Sequence, residues 1–208
     1  MTTPGDFRRR AQRGYTIVEL VMSLAVLAIG ASGVIAMQKV AVASNRHAKD
    51  LSIASRIAEG WADQLAMDGS MWTITSAGVP TLPNTVWLKL ANPGTTVEWF
   101  VPDYSAVRNF GPAFGALGAP LDPAANASLT RFCTHLRLAY LHNSSQGAGV
   151  IRAQVRVFWP AENAATSLPT TGRGNLCAID GPTFASNIGA FHVIYLTTSI
   201  AEAPMGLL

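Results

Sequence analysis

From Thr16 to Gln38 the chain carries one charge, Glu19, in a run that is otherwise apolar or small. About 23 such residues form a helix about 35 Å long, enough to cross a hydrocarbon core of about 30 Å. A carboxylate inside that core costs about 2.5–3.5 kcal/mol at its centre and less near the interface, so Glu19 calls for a partner. Just before the run stand Arg8, Arg9, Arg10 and Arg13, then Gly14 and Tyr15. Clustered arginines beside an apolar span hold that end on the cytoplasmic side.

The charge balance sets these first residues apart. Of fifteen basic and twelve acidic residues, four basic and one acidic precede Tyr15, which leaves eleven of each beyond Gly14. The basic character belongs to the segment 1–14, and nothing comparable follows, so no nucleic-acid partner is expected. Arg8-Arg9 also fits the start of a twin-arginine export signal, but the apolar run is long and directly adjacent.

Beyond Val40 the pattern turns amphipathic. Leu51, Ala54, Ala58, Trp61 and Leu65 recur at three and four, widened by Ile57 and Ala62, with Arg46, Lys49, Asp50, Arg56, Glu59 and Asp63 on the other side. Arg46 and Asp50, four apart, attract, while Glu59 and Asp63 repel. Asp68-Gly69-Ser70 reads as a helix stop, glycine being usual just past a helix end. The pattern predicts one helix from about Tyr15 to Met67. Gly30 and Gly33, among small residues, permit close approach of other helices or simply reflect the tolerance of membrane helices for glycine.

The remainder reads as loops and short strands. Thr85–Leu90 and Thr96–Val101 are strand candidates, and 102–128 reads as an irregular connection. Phe132–Tyr140 and Ile151–Trp159 alternate apolar and polar residues and are joined by Asn143–Gly149, a hairpin; Phe191–Thr197 is the last strand, after a loop from Pro160 to Asn187. The expected fold class is α+β, with the stripe Leu51 to Leu65 of the long helix packed on an antiparallel sheet. Cys133 and Cys177 fall in this part. In an oxidising compartment they suit a disulfide, the alternative being two unpaired buried thiols.

The Arg-rich segment, the glycine, the apolar run and an acid five residues past the glycine together resemble the type IV prepilin signature. The resemblance implies that a prepilin peptidase cuts between Gly14 and Tyr15, that the new Tyr15 amine is methylated, and that Glu19 serves assembly by meeting the amine of a neighbouring subunit. Tyr15 stands where phenylalanine is usual. More narrowly, Leu27–Gly33 with Met37-Gln38, and Val155–Pro160, resemble the PilV-type minor pilins. The implied domains are a leader (1–14), a membrane and filament-core helix (15–40), and a periplasmic head (41–208) whose amphipathic helix covers 41–67. The implied partners are the peptidase, other major and minor pilins, and inner-membrane lipid, with the pilus as destination and a disulfide tying the C-terminal loop to the sheet.

Rival readings stay open at the level of sequence. A type II secretion pseudopilin shares the same N-terminal physics. A secretory signal cut after Ala43 would release a periplasmic binding domain, although Lys39 and the length of the apolar run argue against it. A plain signal anchor would keep residues 1–40 intact. No enzyme activity, cofactor or metal is expected: no Gly-x-Ser-x-Gly, phosphate-binding loop or cysteine pair at metal spacing occurs. His135 and His142 are seven apart, hence on opposite faces of an uninterrupted strand, and read as surface or cross-strand polar residues. Trp72, Trp87, Trp99 and Trp159 read as core more readily than as an adhesive surface.

Overall fold

The computed structural model describes residues 16–73, 81–91, 98–142, 149–161 and 176–203. A long helix, α1 (Ile17–Met71), precedes five strands, β1 (Ala113–Phe114), β2 (Pro120–Leu121), β3 (Phe132–His142), β4 (Val150–Pro160) and β5 (Phe191–Ala201), with a short helix α2 (Gly181–Ser186) ahead of the last. The strands form one antiparallel sheet in the order β2-β1-β3-β4-β5. The fold is α+β, as the order of sequence patterns predicts, and is consistent with a pilin fold. The chain divides into two compact units, 1–48 and 49–208.

In the first unit the described residues are the start of α1, and every one of them is exposed. Ile17, Leu20, Leu24, Leu27, Ile29 and Val40 are all more than half exposed, so this stretch is apolar all round and uncovered among the described residues.

In the second unit α1 lays an apolar stripe on the sheet. Ala54, Ile57, Ala58, Trp61 and Leu65 are buried against Leu136 and Leu138 of β3 and against Val155, Val157 and Trp159 of β4. Trp61 also meets Trp87 and Phe110 edge-on, with ring centroids 5.1 and 5.0 Å away. Leu51 does not belong to this stripe: it is 42 % exposed. Nor does Asp50 pair with Arg46; its Oδ2 accepts from Arg131 Nη2 at 2.9 Å.

The period of two puts Ile151, Ala153, Val155 and Val157 of β4 toward α1, and Arg152, Gln154, Arg156 and Phe158 away from it. That outer face is covered at one end by a second core, in which Cys133, Phe158, Ile179, Phe184 and Phe191 pack together.

Several local expectations give way to tertiary contacts. The helix continues through Gly69 to Met71, because Gly69 is a packing residue: a Cβ there would overlap Ile200 Cγ2. Asp68, fully buried, accepts from the Trp87 and Leu88 amides at 2.7 and 3.1 Å and pairs with Arg108 Nη2 at 2.7 Å. That carboxylate anchors the 3-10 turn Leu88–Leu90, which with a second such turn at Leu82–Asn84 stands where alternation over 85–90 predicts a strand. Of the candidate strand Thr96–Val101, residues 96–97 lie outside the described ones and Phe100 makes an isolated bridge to Leu136. The connection 102–128 holds the small β1–β2 hairpin. The loop from Pro160 to Asn187 contains α2, and the last strand runs on to Ala201. A register shift at Tyr140/His142 interrupts β3, so the argument from an uninterrupted strand fails there.

Candidate assembly and processing site

Of the residues expected to form the site, Gly14 and Tyr15 lie outside the described ones. Thr16 precedes α1. Its Oγ1 accepts the Glu19 amide N–H at 3.3 Å and its carbonyl accepts that of Leu20 at 3.2 Å. Thr16 is therefore the N-cap and Glu19 the third helical residue, the spacing of a capping box. One of the four N–H groups left open at a helix start is satisfied in this way.

The Glu19 carboxylate is exposed in the first turn of α1, where the helix dipole favours a negative charge by about 0.3–1 kcal/mol. Sequence alone carries this cap as Thr16-Ile17-Val18-Glu19, a threonine with an acid three residues on. Further along, a Cβ added at Gly30 or Gly33 would meet nothing within 4 Å, so no contact among the described residues requires either glycine. The arrangement can offer a carboxylate, on a helix apolar all round, to a cation outside the chain.

In the head, Cys133 of β3 and Cys177 form a disulfide with Cα atoms 5.4 Å apart. Just beyond it Asp180 caps α2, its Oδ1 accepting the Thr183 N–H at 2.8 Å. The hydrogen bonds from Thr183 hold the Asp180 carboxyl below the ordinary carboxylate range.

This segment covers His135, which is fully buried and not on the surface; it faces Arg156 across the strands, the cross-strand alternative that sequence left open. Its Nδ1 accepts from Arg156 Nε at 3.0 Å, so the imidazole is neutral. Burial first, and the neighbouring Arg156 second, push its pKa from 6.5 to about 3. The Arg156 guanidinium lies 4.0 Å over Phe184 and 4.6 Å over Trp99. Burial lowers its pKa to about 10, against an opposing pull from Tyr195, so it remains charged at neutral pH. This buried cation is held by two ring faces and an imidazole, an arrangement suited to arginine.

No group of three or more His, Cys, Asp or Glu side chains suited to a metal occurs among the described residues. Trp72, Trp87 and Trp159 are buried and supply no adhesive surface.

Residues 9–35 match the model of the prokaryotic N-terminal methylation motif. The N-terminal segment is similar to that of type IV pilin-like prepilins. The match spans Arg9, Arg10, Arg13, Gly14, Glu19 and the first turns of α1, and it ends before residue 49, where the second unit begins. No curated protein matches the chain, and no solved structure does. α1 is long and apolar enough to cross a membrane. A pilin-type N-terminus, a helix of this kind and a disulfide-bonded sheet domain thus occur in one chain.

Proposed function

We propose that this chain is a minor pilin, of the PilV type, for type IV pilus assembly. The observation that carries the reading is the methylation motif at 9–35, with its acid on the first turn of an apolar helix that nothing described in this chain covers. The leader 1–14 stays in the cytoplasm, α1 spans the inner membrane, and the head lies in the periplasm. A prepilin peptidase cuts between Gly14 and Tyr15 and the Tyr15 amine is methylated.

Extraction into the filament takes Glu19 from lipid and sets it beside the amine of a neighbouring pilin. In that low-dielectric setting the pair is worth keeping only if both charges are satisfied. That α1 runs unbroken through Ala41–Ala43 supports an anchored chain over one released after Ala43.

Replacing Glu19 by Ala leaves membrane insertion intact and lowers incorporation at least several-fold, read by blotting sheared pili. Normal incorporation of that variant would remove Glu19 from the account. A secretion pseudopilin has the same N-terminal motif, and it is separated by phenotype: deletion of a minor pilin impairs piliation, whereas deletion of a pseudopilin impairs exoprotein secretion.

A further inference from the structure

The two edges of the sheet are finished differently. β2, at one edge, is two residues long and begins with Pro120, which has no N–H to offer. β5, at the other edge, has eleven residues and pairs with β4 along its whole length without a bulge. It contains no proline and no lysine, arginine, aspartate or glutamate. Folded proteins blunt a long edge with charges, proline, a bulge or shortness, because its open N–H and C=O groups are a template for another strand.

The ladder determines which groups stay open. Glu202 N–H donates to the Gly149 carbonyl at 2.8 Å and Ala161 N–H to that of Ala190 at 3.0 Å, so the even-numbered residues of β5 turn their backbone groups to β4. The odd-numbered Val193, Tyr195, Thr197 and Ser199 aim theirs away from the sheet, and among the described residues no backbone bond reaches them. Just past the strand Ala203, also odd, donates to the Trp72 carbonyl at 2.8 Å and makes a parallel bridge to Thr73. The same edge is thus already paired at its far end, and Val193 to Ser199 is left open, about 20 Å of strand.

Side chains along this stretch alternate. On the α1 side Ile194 and Leu196 pack against the first core yet stay half-buried, although Val157 and Val155 opposite them in β4 are fully buried. On the other side Tyr195, Thr197 and Ser199 are exposed.

We propose that β5 accepts one extended, uncharged strand of a different protein, with aliphatic side chains on the α1 side and small polar ones on the other. Such a strand bonds to the four open residues and carries the apolar core one row further, over Ile194 and Leu196. A charged strand would be desolvated beside an edge that has no charge to meet it. A second copy of this chain does not fit. Two β5 strands joined about a two-fold axis perpendicular to the sheet run their α1 helices in opposite directions, whereas both must lead into one membrane. β2 is too short to serve as the donor. The exclusion of a second copy rests on the membrane reading of α1; the open edge does not.

The test uses the full chain in neutral maltoside detergent and a fluorescent peptide, read by anisotropy. The peptide alternates valine and threonine over the length of Val193 to Ser199, with lysines at its ends for solubility. It binds, and a scrambled peptide of the same composition does not. Thr197→Pro removes one outward N–H and leaves the β4 ladder whole, a position where an edge strand tolerates proline. It weakens binding about tenfold or more, while the melting temperature of the head changes little.

Methylating the peptide's threonine amides blocks one of its edges, and methylating its valine amides blocks the other. One methylated peptide therefore binds normally and the other is inert: loss with threonine marks an antiparallel strand, loss with valine a parallel one. This comparison needs no variant of the chain and serves should the proline variant fail to fold. Equal binding of the scrambled peptide, no binding of the alternating one, the same effect of both methylations, or full binding by a folded Thr197→Pro chain overturns the proposal. So does a chain that sediments as a dimer in detergent and is made monomeric by Thr197→Pro, which assigns the edge to a second copy. None of these readouts depends on cleavage at Gly14 or on entry into a pilus.

Discussion

At the residue scale, the glycines of α1 have different reasons to be there. Gly69 faces Ile200 with no room for a methyl group, whereas Gly30 and Gly33 have open space around them. Gly69→Ala should therefore destabilise the head by about 1–3 kcal/mol through overpacking. Gly30→Ala should leave the head's stability unchanged and gain helix propensity, about 1 kcal/mol on the soluble scale. Thermal melting of the two variants in detergent checks the contrast; equal effects would refute it.

His135 makes a second residue-scale prediction. Its native pKa, about 3, lies below the unfolded value of 6.5, so the unfolded chain takes up the proton first as pH falls. The stability it contributes is complete above about pH 6.5 and is lost progressively down to about pH 3. The slope attributable to this one group is at most about 1.4 kcal/mol per pH unit. Between pH 6.5 and 5, above the range where most carboxylates titrate, the melting temperature should fall for the native chain. It should fall much less for His135→Gln, which keeps an acceptor for Arg156. Parallel curves would show that His135 is not the group responsible.

At the scale of elements, the parts read correctly from sequence are those whose own periodicity decides their partner. The stripe from Ala54 to Leu65 and the alternation in β3 and β4 place side chains on the faces that the structure buries. The misreadings arise where a residue distant in sequence decides. Thr85–Leu90 alternates like a strand, but Asp68, nineteen and twenty residues away, takes the amides of Trp87 and Leu88 and turns the segment into a 3-10 coil. Asp68-Gly69 looks like a helix end by local rules, and Ile200, far along the chain, makes it a close approach instead. Burial of His135 depends on the segment carrying Cys177 and α2 folding back over the sheet, which nothing in the period of β3 announces.

That segment is tied down by the Cys133–Cys177 disulfide across a sequence separation of 44. On the chain-entropy model a loop of that size contributes about 4 kcal/mol. A Cys133→Ser/Cys177→Ser chain should accordingly lose about that much stability, measured by urea denaturation. A loss under 1 kcal/mol would mean that the second core of Phe158, Phe184 and Phe191 holds the segment without help.

At the scale of the whole molecule, the chain joins two parts with opposite surface chemistry. The head has a packed core on both sides of its sheet, while the described part of 1–48 has none and exposes mainly apolar side chains as far as Met37. That stretch needs lipid, or other helices of its own kind, to cover it. The N-terminus was the most legible part of the sequence because its chemistry is local: arginines, a glycine and one acid within twelve residues of Arg8. The outer face of the sheet was least legible, since its neighbours, such as His135 and Arg156, are set only once strand register brings them together.

The central claim is that this N-terminus is processed as a prepilin. The most direct test is peptide mass spectrometry of the mature N-terminus, from host membranes with and without the prepilin peptidase. The account predicts a chain that begins at N-methylated Tyr15 when the peptidase is present and remains uncut when it is absent. A chain beginning at Ser44, or one with an intact leader in both strains, would contradict it.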